Sequence, residues 1–393
     1  MNPWRGLQGL PREVWILSAA MLVNRAGTMA LPFLVLYLTR SLGLSAERAG
    51  LALFCYGIGS LIAGPVAGRL SDAVGAERIM KLSLFVSGAL LLAFPLAGSF
   101  GAILTLTCLW SITSEAFRPA SLASIAHAVP SPQRKAAFVL ARLAINLGMS
   151  VGPAVGGFLA RVSYPALFWV DGATSIGAGV ILAASASARK APAAPAPPGE
   201  DAQEDARGAS VPHATRDLLF FLMALLPVAM VFFQLHGAFP LFLVRDLGLP
   251  ESAFGLLLTV NTVLIILLEV PLNLALAHWP HARAVAVGAV LTGVGFGALV
   301  FARDAWSVAA TVFVWTFGEM ILLPASTAYV ADLAPPRRRG AYMGYQQMTF
   351  ALALSLGSWL GTMTLARFGS TTLWGAALVF GLLSAVLLRP ARR

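Results

Sequence analysis

Residues 119–136 read PASLASIAHAVPSPQRKA, and residues 324–341 read PASTAYVADLAPPRRRGA. At a shift of 205 positions, Pro119, Ala120, Ser121, Ala123, Ala126, Pro130, Arg134 and Ala136 fall on Pro324, Ala325, Ser326, Ala328, Ala331, Pro335, Arg339 and Ala341. Without a gap, Gly152, Gly156 and Trp169 then fall on Gly357, Gly361 and Trp374, and the LGL at Leu42 to Leu44 falls on the LGL at Leu247 to Leu249. Identities among Ala, Leu and Gly arise easily in an apolar chain. Matched Pro, Arg and Trp at one offset do not, so the chain is a tandem of two similar halves.

Both halves are built for a membrane. Of 393 residues, 58% are hydrophobic and 11% charged, with mean hydropathy +0.79, whereas soluble domains average about 25% charged residues. Windows of about 20 apolar residues, the length that crosses a hydrocarbon core of about 30 Å, recur near 14–38, 46–68, 79–99, 102–128, 135–160, 165–187, 217–243, 252–277, 284–302, 305–332, 340–365 and 370–388. Twelve spans are therefore expected, six per half. The first window is too long for a signal-peptide core and ends in YLTRSLG without a small-residue cleavage site, so it reads as an uncleaved span.

Residues 189–216, between spans six and seven, are rich in Pro, Ala and charge and cannot bury enough apolar area to offset their ordering entropy. They read as a disordered linker between a bundle at 1–188 and a bundle at 217–393. The net charge of +10 is distributed unevenly. Arg40, Arg48, Arg161, Arg245, Arg303 and Arg367 occupy the loops on one side, and most other Lys and Arg residues lie in the linker, the termini and the loops on the opposite side. Positive residues remain cytoplasmic. The expected location is thus the inner membrane, with both termini and the linker in the cytoplasm. Nucleic acid is not a predicted partner, because the basic residues do not cluster on one folded soluble face. Cys55 and Cys108 both lie within predicted spans, which excludes a disulfide framework or a metal cluster. No phosphate loop, nucleophile elbow or cofactor motif is present, so no enzyme, metal or cofactor is expected.

Six plus six spans around a cytoplasmic linker resemble the major facilitator superfamily, and three motifs carry the resemblance. Gly68, Asp72, Gly75 and Arg78, in GRLSDAVGAER between spans two and three, match that family's loop signature, although Ala73 and Ala76 replace usual basic residues. The resemblance implies a gate in which Asp72 faces span eleven. In NLGMSVGPAVGG, Gly148, Gly152, Pro153, Gly156 and Gly157 resemble the span-five antiporter signature of proton-coupled exporters. The four-residue spacing of Gly148, Gly152 and Gly156 makes a small-residue stripe for close helix approach. In TFGEMILLP of span ten, Glu319 resembles the carboxylate with which a subset of multidrug:proton antiporters bind protons and cationic substrates. The implied fold is an all-α integral membrane protein with two six-helix bundles related by a pseudo-two-fold axis. In such folds the substrate site lies at the repeat interface near the bilayer midplane.

The buried charges narrow the site. Glu319 lies about 21 Å deep by helical rise, where a charged group costs roughly 2.5 to 3.5 kcal/mol and must face protein or a wet cavity, or carry a proton. Glu115 and Arg118 in span four sit at the corresponding depth of the first half, and their three-residue spacing predicts an internal ion pair. Arg25 in span one lies about 18 Å deep and calls for a partner such as Glu115 or Glu319, or an anionic substrate. Glu269 is a second-tier candidate, whereas Arg142 and Asp171 are expected near span ends, where water lowers their cost. His236 in span seven is a candidate proton carrier or interhelical hydrogen-bonding residue. Trp4, Trp15, Trp279, Trp306 and Trp374 are expected in the interfacial belt.

The expected function is a monomeric proton-coupled exporter of amphipathic small molecules or drugs, working by alternating access with protons and lipids as partners. Transport of a specific metabolite such as a siderophore or sugar is the alternative on the same fold. A non-transporting, receptor-like membrane protein is the remote one.

Overall fold

The computed structural model describes residues 9–186, 211–335 and 338–388; most of the expected linker at 189–216 lies outside them. Eleven helices are long and apolar enough to cross a membrane: Arg12–Ser41, Ala46–Ser71, Ala76–Leu96, Phe100–Leu122, Ala136–Ala160, Tyr164–Ser185, Arg216–Leu235, Glu251–Ala275, His281–Phe301, Ala305–Leu333 and Gly340–Leu387. The last is two spans. Gly369 has φ 80° and ψ 174° inside it, a non-helical conformation that only glycine adopts without strain, and it turns span eleven into span twelve. Twelve membrane crossings result, and no strand occurs among the described residues.

Two spans are broken rather than straight. Span one runs as Arg12–Ala26, restarts at Ala30–Leu36 and ends in a wide π-helical turn at Tyr37–Ser41. Span seven repeats the pattern: after Phe233–Leu235 the helix restarts at Ala238–Leu241 and ends in a π-helical turn at Phe242–Asp246. Pro32 and Pro240 each sit in the first turn of the restarted segment, where a missing N–H has no intrahelical partner to lose. Gly43 and Gly248, one repeat apart, both have φ 66° in the following turns. Span four is also interrupted, at Ala116, between Phe100–Glu115 and Phe117–Ala128.

Helices alternate in direction, so six short connections lie on one face of the bundle and the ends joined by the 187–210 segment lie on the other. The two faces are packed differently. At the short-loop face a single apolar core draws on both halves, including Phe33, Phe94, Phe239, Phe254, Phe296 and Trp374; Phe33 of span one meets Phe254 of span eight edge-on at 5.1 Å. Toward the linker face there are two separate cores, one formed within 14–182 and one within 218–388. The halves are therefore sealed at the short-loop face and parted toward the linker face. Polar clasps complete the seal: Arg367 Nε donates to Glu47 Oε1 at 2.6 Å, and the Tyr164 hydroxyl donates to Glu251 Oε1 at 2.7 Å.

Trp374 corrects an expectation. It is not in the interfacial belt but fully buried, packed edge-on against Phe242 at 5.3 Å. Trp15 and Trp306 are exposed, Trp279 lies under the Arg283 guanidinium, and Trp4 lies outside the described residues.

Candidate functional site

The halves touch along two helix pairs, span two on span eleven and span five on span eight, and small residues set the distance. The span-five motif has two working faces. Gly148, Gly152 and Gly156 lie against span one: a Cβ on Gly148 would stand 2.7 Å from Arg25 Cβ, one on Gly152 2.8 Å from the Thr28 carbonyl oxygen, and one on Gly156 2.8 Å from Met29 Cβ. Gly157 and Pro153 instead face span eight, with a Gly157 Cβ 2.9 Å from the Glu251 carbonyl oxygen and a Gly255 Cβ 2.2 Å from that of Pro153. The stripe thus fits the broken span one, and the additional Pro and Gly form the contact between halves. The matching pair uses Gly50 and Gly57 of span two against Thr362 and Ser355 of span eleven.

Beneath this seal stand the buried carboxyls. Glu319 is half-buried between spans ten and eight, where Asn261 Nδ2 donates to its Oε2 at 2.9 Å and to Thr316 Oγ1 at 3.0 Å. Glu269, one helix turn pair further along span eight, is ion-paired with Arg142 of span five, across the halves. Asn273 Nδ2 ties the same stretch of span eight to span ten through the Met320 carbonyl at 3.2 Å. Glu319 and Glu269 interact electrostatically. Arg142, set aside on sequence, is thereby part of the same polar network.

In the first half, Glu115 accepts from the Tyr56 hydroxyl at 3.0 Å, which also lies 3.5 Å from Ser114 Oγ. The expected Glu115–Arg118 ion pair is absent. Ala116, between the two segments of span four, keeps an α-helical backbone conformation, but Arg118 points out exposed while Glu115 turns to span two. Arg25 does not pair with Glu115 or Glu319 either; its Nε is buried with no hydrogen-bond partner, while its charge acts on Tyr56 and Asp171.

Asp171 is no solvated end residue. It is 4% exposed, and its Oδ2 accepts from Met29 N at 3.1 Å and Ala30 N at 3.0 Å, capping the restarted half of span one. His236 sits at the break of span seven, its Nδ1 buried without a partner, beside Gln234, which donates to the Gly357 carbonyl at 2.7 Å. In the loop signature, Gly75 turns the chain with φ 95° and Arg78 is exposed; the side chain of Asp72 and position Gly68 lie outside the described side chains. A depression of about 500 Å³ at the short-loop face, lined by Arg161, Tyr164 and Glu251, is remote from the carboxyls.

Sequence reasoning missed Tyr56 and Asn261, which hold the candidate carboxyls, and the buried capping role of Asp171. A polar residue within TVNTVLIILLE was the only available signal for Asn261.

Twelve spans in two repeats, parted on one face around intramembrane carboxyls, have a counterpart among known families. The Major Facilitator Superfamily profile matches residues 16–242 and 221–393. The chain belongs to the Major Facilitator Superfamily. It is a multi-pass membrane transport protein, and this superfamily consists of transporters rather than enzymes. Among curated relatives, an uncharacterized MFS-type transporter, YqjV of Bacillus subtilis, is 24% identical over 94% of this chain and 90% of its own length. A Na(+), Li(+), K(+)/H(+) antiporter of Planococcus maritimus is 23% identical over 84% of both chains. Quinolone resistance protein NorA of Staphylococcus aureus is 28% identical over 38% of both. Among solved structures of this superfamily's fold, a POT family transporter in complex with 5-aminolevulinic acid superposes with TM-score 0.80 at 14% identity, over 98% of this chain and 96% of that one.

Proposed function

We propose that this superfamily member is a proton-coupled antiporter that exports amphipathic small molecules by alternating access, as a monomer in the inner membrane. The observation that carries this reading is Glu319. It is a carboxyl at mid-membrane depth, held by Asn261 through one oxygen, in a molecule whose halves part toward one face. An ionisable group placed there is a functional residue by default. Excess positive charge on the linker side supports a cytoplasmic location for that side, and in this reading the described conformation faces inward. The folding units are the bundles 1–188 and 217–393. The span-five motif and the antiporter and quinolone-resistance relatives support antiport and drug-like cargo.

In this mechanism a cationic or neutral amphipath enters from the linker side and meets Glu319 as it loses its proton. The halves then rock about the span five–eight and span two–eleven contacts. Protonation from the opposite side displaces the cargo. The test is proton-driven uptake of a lipophilic cation into inverted vesicles, comparing the parent with Glu319→Gln at equal membrane abundance. Transport by the parent and loss in the variant support the reading; equal transport by both removes Glu319 from coupling. A second reading, transport of a specific anionic metabolite, is favoured by Arg25, whose buried Nε lacks a partner. Failure of the parent to move any lipophilic cation would favour it.

A further inference from the structure

The polar clasp on Glu319 has a counterpart in the first half at the same repeat spacing. Asn261, Thr316 and Glu319 fall 205 positions after Tyr56, Ser111 and Ser114, and Glu115 is next in sequence to Ser114. In each half these positions join the same pair of spans and bring a neutral side-chain donor to a carboxyl, although the individual hydrogen bonds differ. In the second half, span eight reaches span ten when Asn261 Nδ2 donates to Thr316 Oγ1 at 3.0 Å and to Glu319 Oε2 at 2.9 Å. In the first half, span two is tied to span four when Ser111 Oγ donates to the Tyr56 carbonyl at 2.5 Å and the Tyr56 hydroxyl donates to Glu115 Oε1 at 3.0 Å. The register differs by one residue for a visible reason. Tyr is longer than Asn, so its hydroxyl reaches past Ser114, 3.5 Å away, to Glu115.

We propose that the protein carries two exchangeable carboxyl sites, one per half, with Glu115 held by Tyr56 as the counterpart of Glu319 held by Asn261. In both sites a neutral donor occupies one carboxyl oxygen, which neither neutralises the charge nor blocks the second oxygen. That oxygen takes the proton or faces a cationic cargo. A structural ion pair would look different: Arg118, three residues on in the same span, is turned away and exposed. The charged surroundings of the sites are not alike. Arg25 of span one acts on the Tyr56 end of the first site, whereas Glu269 of span eight, ion-paired with Arg142 of span five, acts on Glu319. The repeat has conserved the donor–carboxyl contact while changing what stands around it. The proposal rests on the proton-coupled reading but is tested without any cargo.

The test is modification of the purified full-length protein by dicyclohexylcarbodiimide, which reacts with protonated carboxyls in apolar surroundings. Adducts are located by peptide mass spectrometry across the mildly acidic to mildly alkaline range. Both the Glu115 and the Glu319 peptides should be labelled. Tyr56→Phe, which removes only a hydroxyl and keeps the ring against Trp110, should change labelling of Glu115 by about threefold or more, the factor one hydrogen bond supplies, and leave Glu319 unchanged. Asn261→Ser should do the reverse. Labelling of Glu319 alone, or of neither, overturns the two-site proposal. The two ideas fail separately: two labelled sites without lipophilic-cation transport sink the cargo reading only, and transport with Glu319 alone labelled sinks only the second site.

Discussion

Arg142 of span five and Glu269 of span eight are ion-paired across the two halves, and among the hydrogen bonds and ion pairs of the described residues theirs is the inter-half link furthest from the short-loop seal. Nearer the seal the Thr259 hydroxyl of span eight donates to the Ser150 carbonyl of span five at 3.0 Å. Arg142→Glu and Glu269→Arg should each lower the thermal midpoint in detergent, and the double swap should recover most of the loss. Because the Arg142 side chain is 62% exposed, the coupling in a double-mutant cycle should be modest, about 1 kcal/mol. Additive losses would show that the pair does not hold the halves together.

Gly255 leaves no room for a side chain, since its Cβ would fall 2.2 Å from the Pro153 carbonyl oxygen and a backbone atom cannot move aside. Gly255→Val should push the short-loop face open. In a background lacking Cys55 and Cys108, a cysteine replacing the fully buried Phe33 should react with a membrane-impermeant maleimide about tenfold faster when Gly255→Val is present, which corresponds to about 1.4 kcal/mol. An unchanged rate would mean that the seal does not depend on this contact.

Asp171 accepts from two backbone N–H groups at the break in span one. Asp171→Ala leaves both donors buried and should cost about 1–3 kcal/mol, read as a lower thermal midpoint. Asp171→Asn keeps an acceptor oxygen and should fall between the two. If Asn is as damaging as Ala, the charge rather than the hydrogen bonding is what matters there.

Asp304, outside the membrane at the start of span ten, closes a capping box with Ser307. Hydrogen bonds from Ser307 hold its carboxyl below its ordinary value of 3.8. A group depressed on folding stabilises above its unfolded pKa, and that contribution is lost as pH falls through the lower folded value. Asp304→Ala should therefore melt earlier than the parent at neutral pH, with the gap closing only in strong acid. A gap that is constant with pH would assign the effect to helix propensity instead.

The repeat and the membrane crossings were legible because hydropathy and helical rise depend on local sequence alone. The clasping partners were not legible. Tyr56 and Asn261 carry no charge and give no periodic signal, and what makes them matter is the neighbouring helix that each faces. Spacing and depth counting also failed where the neighbouring helix decides: Glu115 is taken by the Tyr56 hydroxyl of span two rather than by Arg118, and the break at 27–29 turned Asp171 from a solvated end into a buried cap. Trp374 was misplaced because a position near a span end does not reveal that a core from both halves surrounds it.

The apolar core at the short-loop face is contributed by both halves, with Phe33 and Phe239 each fully buried in it, while each half also has its own core toward the other face. Each half is thus equipped as a subunit, and the surface between them is an intramolecular dimer interface. The peptide bond joining them is then a matter of synthesis rather than of architecture. Cut within 187–210 and expressed as two polypeptides in one membrane, the halves should find each other, co-purify and behave as one protein.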